Sequence, residues 1–183
     1  MRPLLQLDGA ALVRGGRLLF EGLSFSLHEG EALQVTGPNG TGKSSLIRVA
    51  AGLLRLTGGS VDAAPVALAD DYPALDRELP LARALGFWGG SVDEAMHALG
   101  IPHLADVPVR LLSSGQLKRA SLAHVAASGA KLWLLDEPLN ALDANGEARL
   151  APLISTHLKG GGAVLAASHQ PLPGEWKRLD LGQ

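Results

Sequence analysis

The sequence predicts an α/β protein built on a parallel central sheet, and three observations lead there. Short apolar runs alternate with segments of helical spacing along most of the chain. A glycine-rich loop, Gly37 to Ser44, joins a strand to a helix, and a second apolar strand, Leu132 to Leu135, ends in two adjacent carboxylates, Asp136 and Glu137. Strands that alternate with helices pair in parallel, because each helix crosses back over the sheet.

Taken in order, Leu4 to Leu7, Leu18 to Phe20 and Leu23 to Leu27 are short, partly alternating runs broken by Gly15-Gly16, Gly22 and Glu29-Gly30, so the chain is expected to open with antiparallel β structure. Glu31 to Thr36 then reads as a strand entering the glycine-rich turn. Leu46, Ile47, Val49, Ala50, Leu53 and Leu54 follow helical spacing, and Thr57-Gly58-Gly59 is expected to end that helix. Val66 to Ala69 is a brief apolar run. Beyond it, Leu79 to Phe87 and Val92 to Leu99 read as two short helices, the second opened by the capping-box spacing of Ser91 and Glu94. Gln116 to Ala127 is a helix, Leu132 to Leu135 a buried strand, Glu147 to Leu158 a helix, and Ala163 to Ala167 a strand beyond Gly160-Gly161-Gly162. The 183 residues are expected to form a single domain over 1–183 with a small helical lobe inserted at about 74–128.

Composition narrows the chemistry. A chain of this length removes roughly 70% of its unfolded surface from water and needs no disulfide or structural metal. It contains no Cys, which excludes thiolate metal sites, redox dithiols and Cys nucleophiles. Sixteen Lys and Arg against eighteen Asp and Glu leave a net charge of -2, with no basic block, so nucleic acid is not an expected partner. No apolar stretch approaches the ~20 residues that span a bilayer. Asp8 interrupts the start before a signal-peptide core forms.

Gly37-Pro38-Asn39-Gly40-Thr41-Gly42-Lys43-Ser44 matches the pattern GxxxxGK[ST]. In such a loop the glycines let backbone amides turn inward around phosphate oxygens and the following helix adds its positive end. Lys43 reaches the β and γ phosphates of ATP, and Ser44 can ligate Mg²⁺; Ser45 is counted with the loop. At the carboxyl end of the second strand, Asp136 fits the role of holding Mg²⁺, and Glu137 that of a general base acting on the attacking water.

Leu112-Ser113-Ser114-Gly115-Gln116 precedes a helix, and its serines could serve simply as helix caps. The pentad also resembles the LSGGQ signature of ATP-binding cassette (ABC) ATPases, and the remaining motifs resemble that family in the same order. Leu139-Asn140-Ala141-Leu142-Asp143 resembles its D-loop, and His169, after the strand Ala163 to Ala167, its switch histidine. The resemblance covers the chain from the β start to Gln170. It implies a P-loop NTPase fold, an ABC nucleotide-binding domain with an antiparallel β subdomain and a helical lobe. It also implies ATP hydrolysis with Mg²⁺, in which Lys43, Glu137 and His169 are catalytic. A second copy of the chain would supply Ser113, Ser114, Gly115 and Gln116 in trans, with Asp143 at the D-loop. Within the family, Asp106-Val107-Pro108-Val109, the compact lobe and Ser168-His169-Gln170-Pro171-Leu172 resemble ATP-binding subunits of the cytochrome c maturation (haem exporter) systems. That resemblance implies an inner-membrane permease partner and a peripheral place on the cytoplasmic face of the inner membrane. Direct haem binding is not expected, since the six His lack close metal-ligand spacing. Another transported cargo, or an ATP-dependent clamp with little turnover, are the alternatives.

The family pattern is broken at three places. No Gln lies between Gln34 and Gln116, so the Gln expected after the strand that follows the phosphate-loop helix is replaced within Ala69-Asp70-Asp71-Tyr72-Pro73. Asp70, Asp71 or Tyr72 must take that place. Val13 or Arg14 stands where an aromatic residue would stack on adenine, and Arg14 offers only a guanidinium plane. Ser114 replaces the first signature Gly.

Overall fold

The computed structural model describes residues 2–87 and 89–182. Their strands fall into two sheets. The first is antiparallel, with β1 (Leu5–Arg14) between β2 (Arg17–Leu27) and β4 (Gly58–Ala63). The second is wholly parallel, in the order β5 (Val66–Ala69), β6 (Leu132–Asp136), β7 (Ala163–Ala167), β3 (Ala32–Thr36), β8 (Lys177–Asp180).

The continuous apolar strands of the parallel sheet serve two cores at once. Along β6, Leu132 and Leu134 face the core shared with the antiparallel sheet and α1 (Lys43–Ala50), whereas Trp133 and Leu135 face the core under the helices. β7 divides in the same way, with Val164 and Ala166 on the helical side. A strand covered on both faces has no solvated side, which is why these runs show no polar alternation. Between β5 and β6 the chain forms α2 (Leu81–Gly86), α3 (Val92–Ala98), two 3-10 turns and α4 (Ser114–Ala127). α5 (Ala144–Lys159) lies between β6 and β7.

Several expected boundaries move. β2 runs straight through Gly22: between the pairs Ala10 with Leu23 and Leu12 with Phe20, β2 carries one residue more than β1, so Gly22 belongs to a bulge and does not end a strand. The phosphate-loop helix stops at Ala50, well before Thr57. Gly52 takes φ 72°, and the amides of Leu53 and Leu54 both fold back onto Arg48 O. Gly58-Gly59 opens β4 instead of closing a helix. α2 starts two residues after the expected Leu79, because Leu79 O is taken by the amide of Val109 and Pro80 stands at the N-cap, and it ends at Gly86, one residue before the expected Phe87. α4 begins at Ser114 and α5 at Ala144, two and three residues ahead of expectation. The capping box at Ser91 does not form. An N-cap hydroxyl reaches the third amide from an extended backbone, and Ser91 has ψ 73° where Ser113, which does form one, has ψ 165°.

Candidate active site

β3 delivers the chain into the glycine-rich loop, and α1 carries it away. Gly37, Gly40 and Gly42 take φ of 135°, 84° and 105°, a region that side chains with a Cβ avoid. Crowding adds to this, since a Cβ on Gly42 would lie 3.1 Å from Leu19 Cβ. Lys43 is buried, its ammonium donating to Gly37 O at 2.8 Å and Pro38 O at 3.1 Å, and Thr41 Oγ1 donates to Pro38 O at 2.9 Å. Gly37, Pro38 and Thr41 therefore brace the loop. Asn39, Gly40, Gly42, Lys43, Ser44 and Ser45 line a cavity of about 570 Å³ above it.

Ninety-two positions away in sequence, Asp136 meets this loop: Ser44 Oγ donates to its Oδ1 at 2.9 Å. Burial pushes the Asp136 carboxyl up from the ordinary carboxylate range. The hydrogen bond from Ser44 opposes that rise, and the neighbouring Glu137 charge adds to it. A cation at this point would relieve both penalties. Among the described residues no group of three or more His, Cys, Asp or Glu could hold a metal by itself. A hydroxyl and one carboxylate are nonetheless what Mg²⁺ accepts from a protein when phosphate oxygens and water complete its shell.

Glu137 has φ 45°, an unusual conformation for a residue with a side chain. Its Oε2 lies 2.9 Å from His169 Nδ1, and both residues line the cavity beside Asn140. β7 supports this pair, because the amide of Glu137 donates to Ala167 O at 2.8 Å. Gln34, 2% exposed in β3, donates its amide to Gln170 O at 2.7 Å and so anchors the segment that carries His169.

The signature segment stands elsewhere. Ser113 caps α4 in a full box with Gln116: the Ser113 amide donates to Gln116 Oε1 at 2.9 Å, and the Gln116 amide to Ser113 Oγ at 3.3 Å. Ser113, Gly115 and Gln116 line a separate cavity of about 410 Å³ together with Ala141 and Asp143. Gly115 is pressed against the D-loop, where an added Cβ would fall 2.7 Å from Ala141 O. Asp143 caps α5 by accepting from the Gly146 amide at 2.8 Å and is paired with Arg119. Those two hydrogen bonds, the backbone one first, hold its carboxyl below the ordinary range.

At the positions that break the pattern, Arg14 lines the large cavity beside Leu19, while Val13 does not. Tyr72 is 82% exposed, and Asp70 accepts from the Tyr72 amide. Asp71 alone of the three reaches toward the carboxylates, through Lys118 of α4. Lys118 and Gln34 were not foreseen. In the sequence each is a polar residue in an otherwise regular element, and only the fold shows that both are buried.

The family model described as ABC transporter matches residues 20–140. The cytochrome c biogenesis ATP-binding export protein CcmA of Sphingopyxis alaskensis is 55% identical over 177 residues, covering 92% of this chain and 91% of its own. The protein of the same name from Novosphingobium aromaticivorans is 53% identical, covering 87% of this chain and 85% of its own. Two solved structures share the fold. The ATP-binding subunit of an ABC transporter aligns with TM-score 0.83 at 19% identity over 91% of this chain and 79% of its own. An ATP-binding cassette in its ADP conformation aligns with TM-score 0.75 at 20% identity over 93% and 83%. With both the family match and relatives of more than half identity along nearly its whole length, the chain belongs to the ABC transporter family, among the cytochrome c biogenesis ATP-binding export proteins.

Proposed function

We propose that this chain is the ATP-hydrolysing subunit of an ABC complex that serves haem export in c-type cytochrome biogenesis. One contact above all supports the hydrolytic role: Ser44 Oγ on Asp136 Oδ1 at 2.9 Å, which joins the phosphate loop to the strand end that carries Glu137. In the reaction, the loop amides and Lys43 hold the β and γ phosphates, Lys43 exchanging the Gly37 and Pro38 carbonyls for phosphate oxygens. Ser44 and Asp136 are the residues to hold Mg²⁺, which when bound neutralises charge on those phosphates. Glu137 orients a water against the γ phosphorus and takes its proton as the P–O bond to ADP breaks, and His169 keeps the carboxylate in place from Nδ1.

Replacing Lys43 by Ala is expected to weaken nucleotide binding. Glu137→Gln should keep binding and lose about 10²-fold or more in turnover. Equilibrium binding and single-turnover hydrolysis separate the two, and undiminished turnover in Glu137→Gln would remove that residue from the base role.

No helix among the described residues is long and apolar enough to cross a membrane. The place proposed for the chain, peripheral on the cytoplasmic face of the inner membrane, therefore depends on a permease. Co-expression with a cytochrome c maturation permease should move the chain into the membrane fraction. Recruitment only by an unrelated permease would reject the haem assignment and leave the ATPase standing.

A further inference from the structure

The two carboxylates at the end of β6 share one peptide group, and that group is held from both sides. Its amide, on Glu137, donates to Ala167 O at 2.8 Å, and its carbonyl, on Asp136, accepts from Lys118 Nζ at 3.1 Å. The orientation of this plane goes with the φ of 45° at Glu137, a strained conformation that persists only where its surroundings impose it. Loss of either hold would free the main chain at Asp136 and Glu137 to shift, and with it the carboxylate that meets Ser44 and the one that meets His169.

Lys118 is an expensive way to make a single hydrogen bond. Its side chain is 5% exposed, and an ammonium taken out of water needs an anionic partner. The partner is Asp71 Oδ1 at 3.2 Å, on a side chain that is itself 67% exposed. If this position served packing alone, an apolar side chain of the same length would serve at least as well. Lys118 also stands one turn beyond Ser114 on α4, and both border a small cavity with Asp71, Asn140 and Ala141. One ammonium thus joins the signature helix, the loop after β5 and the end of β6.

The geometry points to Lys118 as a positioning residue for hydrolysis, held in place by Asp71 and fixing the Asp136 to Glu137 peptide in its catalytic orientation. Asp71 lies in the stretch Ala69 to Pro73, and through Lys118 it links that loop to the general base by way of main chain. This inference rests on the ATPase reading above and deepens it.

The test compares Lys118→Met, Lys118→Arg and Asp71→Ala with wild type and with Glu137→Gln in steady-state ATPase assays, with thermal unfolding in parallel. Lys118→Met should lower kcat about ten-fold or more while KM for ATP stays within about two-fold, since misplacement of the base by a fraction of an ångström leaves phosphate binding intact. Lys118→Arg should recover most of the rate. Asp71→Ala, at an exposed position, should lower kcat about three-fold or more without loss of fold. A packing role alone would move the unfolding midpoint and leave kcat unchanged. Wild-type rates in both Lys118→Met and Asp71→Ala overturn the inference; if Lys118→Met does not fold, a wild-type rate in Asp71→Ala does so alone. A wild-type chain with no ATPase activity overturns the functional reading itself, whereas loss confined to Glu137→Gln overturns only this inference.

Discussion

At the scale of single residues, what decides function here is proximity that sequence spacing does not encode. Gly115 is an instance: in the sequence it is one member of a signature, while in the fold its missing side chain is the room that Ala141 O occupies. Gly115→Ala would place a Cβ 2.7 Å from that oxygen and must displace either α4 or the D-loop. Overpacking of this kind costs about 1–3 kcal/mol. The variant is expected to fold with a lowered unfolding midpoint and to lose most of its ATPase activity, because Asn140 and Glu137 lie on the same short segment. An activity equal to wild type would mean that the signature and D-loop move independently. The phosphate loop, Asp136 and Glu137 are legible as motifs because each residue type is dictated by phosphate or metal and water chemistry, whereas His169 is legible only from its place in the order of motifs that resembles the family. Lys118 and Gln34 are not, because a Lys on a helix and a Gln in a strand look the same whether they meet solvent or a buried carbonyl.

At the scale of elements, the strands of the parallel sheet that the sequence revealed are those whose apolar runs serve two cores. Two strands it hid, β8 at the edge of that sheet and β4 at the edge of the antiparallel one, are mostly exposed and lack that signal: β4 reads Gly-Gly-Ser-Val-Asp-Ala and β8 Lys-Arg-Leu-Asp. Glycines that look alike in sequence act differently: Gly52 follows the early end of α1, whereas α5 runs to Lys159, within one residue of the expected end, before the three glycines at 160–162. Gly161 has φ 79°, but Gly162 is there for room, because a Cβ on it would fall 2.1 Å from His157 Nε2. That ring stacks on Trp133 with centroids 3.7 Å apart, joining α5 to β6. Its Nε2 lies 3.1 Å from Lys131 O and 3.3 Å from Ala163 O, so the neutral Nε2–H tautomer donates there. Burial holds the His157 pKa below the ordinary imidazole value, the two carbonyls working the other way. The folded chain therefore binds fewer protons than the unfolded chain once pH drops below about 6.5, and stability is lost as pH falls through that window toward the folded pKa. Thermal midpoints should drop from pH 7.5 to pH 5.5. His157→Phe, which preserves the stack, should flatten part of that slope, with half-buried His124, shifted in the same direction by desolvation, supplying another part. An unchanged slope in His157→Phe would show that this histidine does not titrate between the two states. Gly162→Ala should expel the ring and cost about 1–3 kcal/mol at either pH.

On the scale of the whole molecule, the signature and the phosphate loop of one chain face different cavities. Among the described residues, none of 113–116 lines the cavity above Lys43, which is bordered by Arg14, Leu19, Glu137, Asn140 and His169. On the proposed reading, the N-terminus of α4, with its box of Ser113 and Gln116, acts on a second copy's nucleotide, where a helix end aimed at the γ phosphate would stabilise charge as it develops. The expectation is that ATP holds two copies together and hydrolysis releases them. If the signature served its own chain, activity per chain would be independent of dilution; serving a partner, it should fall as the dimer dissociates. Glu137→Gln should accumulate an ATP-bound dimer, because Lys43, Ser44 and Asp136 still hold nucleotide while the water is no longer activated. Adding Ser114→Arg to that variant should abolish the dimer by filling the space meant for the partner's phosphate, without disturbing the cap at Ser113. Light scattering with saturating ATP and Mg²⁺ reads both outcomes. A Glu137→Gln chain that binds ATP and stays monomeric, with its permease present as well as without it, would leave the two cavities unconnected and defeat the sandwich arrangement.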